Sequence, residues 1–251
     1  MTRAMTDAPE YVAVGTVMTW AGGVRVVAGP RGVRAAEIPR WEPTQAETPA
    51  DLGAIAIIAD GGAEAGRHLR QALTELHEYF VGERRAFTIA LDPPGTDFYR
   101  AAWAEVARTP FGETRSYGEI ARAIGAPAAV RAVGAANGAN PVAPFVPCHR
   151  IVGSDGRLTG YGPGLPLKAR LLAMEGALPR SSDDYGRWTG ALAAQYHGHA
   201  IVLGIRGASR YCAPGCVRSR ARWATPARIF TSASAAREAG YAPCPVCGGT
   251  C

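Results

Sequence analysis

The six cysteines of this chain are distributed very unevenly along its 251 residues. Cys148 is the only cysteine in the first 211 residues, and the other five lie between Cys212 and Cys251. The region after residue 184 is too short to be stable on a hydrophobic core alone, so it needs a metal or disulfide bonds. The sequence therefore predicts a long part with one isolated thiol and a short part that clustered cysteines hold together.

Four of the later cysteines form two close pairs, Cys212-x3-Cys216 and Cys244-x2-Cys247, with a longer loop between them. This spacing is typical of a tetrahedral zinc site with four thiolate ligands. Disulfides are the alternative, but they need an oxidising compartment that no other feature indicates. We therefore predict zinc as the cofactor. Three other residues could in principle bind a metal. We expect Cys251 to be a free thiol and His197 and His199 to be exposed loop side chains.

The composition favours a polyanionic partner and a cytoplasmic location. The formal net charge is +6 and the pI is about 9.2, a balance that attracts phosphates irrespective of base sequence. Lys168 is the only lysine, so almost all of the positive charge is arginine, whose frequency also follows genome base composition. No stretch is apolar enough to span a bilayer, and the N-terminus lacks the basic and then apolar pattern of a secretion signal.

The first 90 residues have the pattern of a small α/β domain. Residues 11–18, 24–28 and 33–38 are rich in valine and alanine and are separated by Gly-rich or Pro-Gly turns, which predicts short strands of one sheet. Residues 65–80 predict a helix that packs on this sheet through apolar residues spaced three and four apart. These residues are Leu69, Leu73, Leu76 and Phe80.

Two short helices joined by a tight turn are predicted in the middle of the chain. Residues 116–125 have helical apolar spacing and end in a glycine, and Ala126-Pro127 follows as the turn. Residues 128–137 form a second helix with almost no side-chain bulk, on which Arg131 is the only charge. A helix-turn-helix of this kind lets the second helix approach a nucleic-acid groove closely.

The tetrapeptide Pro147-Cys148-His149-Arg150 contains a lone cysteine with a histidine directly behind it. A thiol beside a potential base is typical of a nucleophile. The alternative is a buried thiol that acts as a small hydrophobic side chain. The tetrapeptide alone does not decide between the two.

The wider set of motifs resembles the O6-alkylguanine-DNA alkyltransferase family, from about residue 95 to residue 176. The motifs that carry the resemblance are Tyr117, Arg131-Ala-Val-Gly134, Asn140-Pro141-Val142, Pro147-Cys148-His149-Arg150, Gly160-Tyr161 and Glu175-Gly176. The resemblance implies an RNase H-like α/β domain followed by a mainly helical core that contains the helix-turn-helix, opening with a helix at 98–106 and closing with one at 167–174.

The resemblance also implies a reaction and the residues that perform it. Cys148 accepts the alkyl group of O6-alkylguanine, and of O4-alkylthymine, in double-stranded DNA. His149 is the base that makes the thiolate, through water, and Glu175 orients it, unless that glutamate is simply an exposed residue at a helix end. Asn140 holds the turn before the nucleophile through hydrogen bonds to the backbone. Because nothing removes the thioether, each molecule acts once.

A second set of residues is implied for turning the damaged nucleotide out of the duplex, because guanine O6 points into the base stack. Arg131 fills the vacated space, with a solvated helix charge as the alternative. Tyr117 helps to rotate the nucleotide and assists the purine leaving group. The groove-facing residues are Ala132 and Gly134, and the purine pocket is lined by Tyr161, Gly162 and the carbonyl of Ile151.

The C-terminal region resembles the zinc-binding domain of the adaptive-response (Ada) methyltransferases. The motifs are Asp183-Asp184 with Arg187-Trp188, Tyr211-Cys212-Ala-Pro-Gly-Cys216, residues 235–241, and Pro243-Cys244-Pro-Val-Cys247. The resemblance implies a four-cysteine zinc site and transfer of a methyl group from a DNA methyl phosphotriester to Cys212. The sequence departs from the family at Ala213, Pro245 and Val246, where basic or polar residues are expected, which weakens the predicted phosphate contacts.

These patterns predict four segments and leave the function of the last one open. Residues 1–90 are the α/β domain, with 1–10 disordered, and 91–177 are the alkyltransferase domain, followed by a linker at 178–184 and a zinc-binding α+β domain at 185–251. Its alternative is a structural zinc module that only adds DNA affinity. The alternatives for the protein as a whole are a sensor of alkylation and a lesion-binding protein without activity, which Cys148 argues against. We expect a monomer.

Overall fold

The structure of the chain is a computed structural model, which describes residues 12–40, 53–175, 177, 202–205, 209–212, 227–230 and 232–249. These residues form two units. The first contains the described residues up to Ile38, those from Gly53 to Gly95, and Pro141–Ala143, and the second contains the rest. The predicted disorder at 1–10 and the predicted linker at 178–184 lie outside the described residues.

The first unit is built on an antiparallel sheet with the strand order β3-β2-β1-β4. All three predicted strands are confirmed, with ends that differ from the prediction by one or two residues. Along β1, alternate side chains are buried, as expected for a strand with one face on a core. The strands are β1 (Ala13–Thr19), β2 (Gly22–Gly29), β3 (Gly32–Glu37) and β4 (Ile55–Ala59).

Strand β4 at the sheet edge was not predicted. All five of its side chains are exposed, so it lacks the alternation of buried and exposed positions that identifies a half-buried strand. It pairs with β1 through a register that shifts between Val14 and Gly15. A strand defined by backbone pairing at an irregular edge gives little periodic signal in the sequence.

Helix α1 (Gly62–Val81) covers one face of this sheet. All four members of the predicted apolar stripe are buried, which confirms the predicted packing. The helix lies so close to β1 that a Cβ atom added at Gly15 would be 3.0 Å from a methyl carbon of Leu73. Gly82 ends the helix in the left-handed conformation at φ 87°, which is favourable for glycine.

Residues 91–95 are tied to the sheet at their beginning. The Val33 amide donates to the Ala90 carbonyl at 2.8 Å, and the Asp92 amide donates to the Val33 carbonyl at 2.8 Å. Pro93 and Pro94 follow and have no N–H to continue the pairing. The first two of these residues therefore extend the edge of the sheet next to β3.

The second unit contains the predicted helix-turn-helix. Helix α3 (Tyr117–Ala123) begins with a capping box, in which the Ser116 hydroxyl accepts from the Glu119 amide and the Glu119 carboxylate accepts from the Ser116 amide. Helix α4 (Val130–Gly138) starts two residues later than predicted, because the Ala129 amide bonds to the Ala126 carbonyl and continues the turn. The opening and closing helices are α2 (Asp97–Ala107) and α5 (Leu165–Met174). Two short strands, β5 (Arg115–Ser116) and β6 (Ile151–Val152), pair in parallel.

The described part of the C-terminal region is a small sheet with a short helix, which agrees with the predicted α+β class. Its strand order is β10-β8-β7-β9, and helix α6 (Ala233–Glu238) packs on it through Ala236. The strands are β7 (Val202–Ile205), β8 (Arg210–Cys212), β9 (Ala227–Phe230) and β10 (Ala242–Pro243).

Among the described residues, no helix combines the length and apolar character needed to cross a bilayer.

Candidate functional site

Cys148 begins a single turn of 3-10 helix, Cys148–Arg150, and is almost completely buried. The turn is held by Asn140, whose side-chain amide donates to the Val146 carbonyl at 2.8 Å. This is the hydrogen bond to the backbone that the sequence predicted. Burial raises the pKa of the Cys148 thiol, and a hydrogen bond from Asn140 and the charge of Lys168 oppose that rise. The site thus protects the thiol from water and supplies groups that favour its thiolate.

Behind the nucleophile, Glu175 binds both residues that follow Cys148 in the sequence. Its carboxylate accepts from His149 Nε2 at 2.8 Å, and from Arg150 Nε and Nη2 at 2.8 and 2.9 Å. All three side chains are buried. The alternative in which Glu175 is an exposed residue at a helix end is therefore wrong. The remaining guanidinium nitrogen of Arg150 donates to the Thr109 carbonyl at 2.7 Å.

The charges in this triad follow from burial and pairing. Burial would raise the pKa of the Glu175 carboxyl, but the contacts with His149 and Arg150 lower it to about 2. Burial lowers the pKa of His149, and the neighbouring Glu175 opposes this effect only in part. Because Arg150 is always charged, the carboxylate is stable as an anion beside a neutral imidazole. A neutral imidazole is the form that accepts a proton.

Lys168 was not predicted as a site residue. This single lysine is completely buried in α5, and its ammonium donates to the Ile151 carbonyl at 2.6 Å and the Thr159 carbonyl at 2.7 Å. Burial lowers the pKa of Lys168 to about 7, and the nearby Cys148 opposes that shift. The one available signal was its spacing from the buried Leu171 and Leu172, which places it on the inner face of the helix.

Tyr117 and the loop around Tyr161 lie on either side of Thr159. The Tyr117 hydroxyl donates to the Thr159 carbonyl at 3.4 Å, and a Cβ atom at Gly160 would lie 4.0 Å from that hydroxyl oxygen. The Tyr161 ring is 6.4 Å from the His149 ring, and its hydroxyl oxygen is buried with no hydrogen-bond partner among the described residues. The structure therefore brings both predicted tyrosines to the surroundings of the nucleophile.

The predicted DNA-contacting residues lie on α4. Arg131 and Ala132 are exposed near its first turn, while Gly134 is half-buried and faces the Tyr117 ring, 4.0 Å from the position of an added Cβ. The helix therefore presents a small-residue surface with one arginine. Of the predicted pocket residues, Ile151 is buried and Gly162 has open space where a side chain would be.

Three of the four predicted metal ligands meet at one end of the C-terminal sheet. Parallel pairing of β8 with β10 places Cys244 beside Cys212, and the Cys244 amide donates to the Tyr211 carbonyl at 2.9 Å. The sulfur atoms of Cys212, Cys244 and Cys247 all lie within 4.8 Å of one another. Sulfurs bound at 2.3 Å to a tetrahedral zinc are about 3.8 Å apart, so the cluster is near the size that zinc needs.

The remaining candidate ligands lie outside the described residues, namely Cys216, Cys251, His197 and His199. Cys148, Cys212, Cys244 and Cys247 form no disulfide with one another. Cys212, Cys244 and Cys247 are thus arranged as metal ligands are, in agreement with the spacing. The full ligand set stays a prediction.

Two family models match consecutive parts of this chain. Residues 97–177 match the DNA-binding domain of 6-O-methylguanine DNA methyltransferase, and residues 191–249 match the metal-binding domain of Ada. The first match contains Cys148 and the whole triad behind it. The second contains all four predicted zinc ligands.

Similar proteins and structures agree with these matches. A methylated-DNA–protein-cysteine methyltransferase of Methanosarcina acetivorans is 48% identical over 120 residues, which are 48% of this chain and 77% of that protein. A methyltransferase of the same name from Mycolicibacterium paratuberculosis is 54% identical over 115 residues, which are 46% of this chain and 70% of that protein. The crystal structure of Mycobacterium tuberculosis OGT in complex with DNA has a TM-score of 0.52 at 40% identity, and the alignment covers 64% of this chain and 91% of that one. This chain belongs to the methylated-DNA–protein-cysteine methyltransferase family.

Proposed function

We propose that this protein repairs double-stranded DNA by moving an alkyl group from guanine O6, or from thymine O4, to Cys148 Sγ. The observation that carries the proposal is the buried triad behind the thiol, in which Glu175 binds His149 Nε2 at 2.8 Å. This contact places the proton of the neutral ring on Nε2. Any proton taken from the thiol must therefore go to Nδ1, which makes His149 a base of defined orientation.

The transfer balances without an outside reagent. Cys148 loses its proton to His149, through a water molecule, and the thiolate sulfur attacks the alkyl carbon. The new S–C bond forms as the C–O bond breaks, and guanine leaves with the electron pair and takes up the proton that His149 accepted from the thiol. The product is unmodified guanine and a thioether, and each molecule acts once because no group in the site would cleave a thioether. Glu175 stays ionised throughout and stabilises the transient imidazolium.

Burial of Cys148 requires that the damaged nucleotide leave the duplex. Only 5% of Cys148 is exposed, so a base inside a stacked helix is out of its reach, and rotating it outward costs a few kcal/mol. Arg131 is exposed on α4, where it can enter the space that the base vacates. The Ile151 carbonyl oxygen accepts a hydrogen bond from Lys168 and retains a second lone pair. This lone pair can accept a hydrogen bond from the guanine amine.

The other parts of the chain have supporting roles in this proposal. The sheet and α1 of the first unit correspond to the RNase H-like domain of the family and carry no chemistry. The protein acts on DNA as a monomer, because one lesion needs one thiol. A second reaction, at the C-terminal cysteines, is independent of the first.

For the C-terminal domain we propose zinc bound by Cys212, Cys216, Cys244 and Cys247, with Cys212 as the acceptor of a methyl group from a DNA methyl phosphotriester. A bound zinc would keep its ligands deprotonated and electron-rich at neutral pH. The Cys212 sulfur forms a bond to the methyl carbon, and the phosphodiester leaves with the C–O electron pair. This lesion lies on the backbone, so no nucleotide has to rotate. The exposed Val246, next to the ligand Cys247, gives the domain fewer phosphate contacts than the family pattern provides.

Replacing the nucleophile tests the first reaction. In Cys148→Ser we expect no transfer from O6-methylguanine and little change in DNA affinity, because a hydroxyl stays protonated at neutral pH while the phosphate contacts are intact. Wild-type protein should take up one methyl group per chain from this lesion in a single burst, as measured by intact-protein mass spectrometry. Repeated turnover, or full activity of the serine variant, contradicts the proposal.

Replacing the arginine of α4 tests nucleotide rotation. Arg131→Ala should slow repair of duplex DNA by about tenfold or more and affect single strands much less, because only a duplex has a gap to fill. Arg122→Ala on α3 removes the same charge from the neighbouring helix and should slow both substrates little. Equal slowing of duplex and single-stranded repair in Arg131→Ala would mean that Arg131 contacts phosphate instead.

Acid unfolding tests the charge state of the triad. The pKa of Glu175 is about 2 when folded and 4.5 as an unperturbed group, so its stabilising effect is complete above pH 4.5 and is lost as the pH falls toward 2. Between pH 6 and pH 3 this loss amounts to about 2 kcal/mol of unfolding free energy. Denaturant unfolding of Glu175→Gln should show a correspondingly shallower decline. Parallel pH curves for wild type and variant would exclude a buried, ionised Glu175.

The zinc domain is tested in a chain whose first thiol is inactive. Elemental analysis of Cys148→Ser should find one zinc per chain, and incubation with phosphotriester DNA should add one methyl group to the peptide that contains Cys212. Cys251→Ser in the same background should behave identically, because Cys251 is neither ligand nor acceptor. If zinc is bound and the Cys212 peptide stays unmodified, the domain is the structural module of the alternative hypothesis.

A further inference from the structure

Asn137 is a buried polar residue in α4 for which neither the motifs nor the reaction above supplies a role. It lies six positions after Arg131, on the buried side of the same helix, and only 5% of it is exposed. We propose that Asn137 is a positioning residue for alkyl transfer, whose side-chain amide sets the distance between the Cys148 turn and the Tyr117 hydroxyl. The inference rests on the proposed function and adds a component to that site.

The contact with the nucleophile is direct. The Asn137 Nδ2 group donates to the backbone carbonyl of Cys148 at 3.2 Å, in a buried environment. Asn140 holds the preceding part of the same turn by donating to the Val146 carbonyl. The two asparagines near the end of α4 therefore fix this turn at two backbone carbonyls. Asn140 binds the carbonyl of Val146, and Asn137 binds that of Cys148 itself.

Tyr117 lies against the same face of α4. Gly134, one helical turn before Asn137, faces the Tyr117 ring at van der Waals distance. Burial raises the pKa of Tyr117, and a hydrogen bond from the Thr159 side chain opposes that rise. The contacts of the hydroxyl with Thr159 are long, at 3.4 and 3.5 Å. The two contacts with Thr159 therefore hold the Tyr117 hydroxyl only weakly.

The second polar atom of Asn137 supports the same assignment. Its Oδ1 is buried and has no hydrogen-bond partner among the described residues. Leaving a buried acceptor without a donor costs about 1–3 kcal/mol. If position 137 were only structural, an apolar side chain there would avoid this cost. In the proposed arrangement the Tyr117 O–H turns away from the Thr159 carbonyl and donates to Asn137 Oδ1. A single side chain then links the group that attacks the alkyl carbon to the group that assists the departing purine.

Helix α4 has another anchor, which separates positioning from folding. Trp103 Nε1 in α2 donates to the Ala136 carbonyl at 2.7 Å, one residue before Asn137, and this hydrogen bond involves neither the nucleophile nor Tyr117. Trp103→Phe removes one buried hydrogen bond from the same turn of α4. It is therefore a matched control for the loss of an anchor that has no part in the reaction.

The experiment uses the full chain and a duplex with one O6-methylguanine. Asn137→Leu keeps the branching pattern of the side chain and removes both polar atoms. We expect its transfer rate at saturating protein to fall by about tenfold, the equivalent of one lost hydrogen bond, while the DNA Kd measured in the Cys148→Ser background changes less than about twofold. Trp103→Phe should lower the unfolding free energy and leave the transfer rate of the folded protein within the same twofold range.

A double-mutant cycle tests the link through Tyr117, because a merely structural effect of Asn137 would be the same in any background. In Tyr117→Phe, the further change Asn137→Leu should slow transfer clearly less than it does in wild type. If Asn137→Leu folds poorly, Asn137→Asp has nearly the same shape, loses the donor to the Cys148 carbonyl, and should also slow transfer.

The outcomes separate the inference from the proposed function. No methyl transfer by wild type overturns both of them. Normal transfer by Asn137→Leu or Asn137→Asp, or effects of Asn137→Leu and Tyr117→Phe that simply multiply, overturns only the positioning role of Asn137.

Discussion

The buried carboxylate of Glu175 is the group on which the rest of the site depends. It is shared by two adjacent residues of one short turn, His149 and Arg150, which approach it from the same direction. An isolated carboxylate in this position would be strongly disfavoured, and breaking a buried pair of this kind costs about 3–5 kcal/mol. The pair therefore secures the turn that presents Cys148, in addition to orienting the imidazole. Stability and nucleophile activation are properties of the same three side chains.

The site residues were predictable because they belong to motifs that each occupy a few neighbouring positions and together resemble a known family. Cys148 and His149 are adjacent, and Asn140 lies eight residues before Cys148, so part of their arrangement follows from local chain geometry. The helix-turn-helix was predictable for the same reason, since its apolar spacing and its glycine and proline signals are local. The start of α4 was misplaced by two residues, because the turn before it is closed by backbone hydrogen bonds that leave no mark in residue type.

The residues that the sequence did not reveal are those whose partners lie on distant segments. Lys168 and Asn137 bond to backbone carbonyls, and a carbonyl is present at every position, so no residue type signals it as a partner. A lone lysine or asparagine in a helix is most often solvated. Glu175 had the same ambiguity until its burial was seen. Tertiary packing, which determines which helical faces are covered, decides these cases.

The position of Lys168 has a practical consequence for observing this protein. It is the only lysine in the chain, and its ammonium is completely buried between two backbone carbonyls. The folded chain therefore offers no exposed lysine amine to acylating reagents. A protease specific for lysine has one target, the peptide bond after Lys168, which lies in the core near Cys148. Cleavage of this bond therefore measures opening of the core around Cys148, because the protease has no other lysine to cut. The chain thus contains its own probe for the local opening of its reactive core.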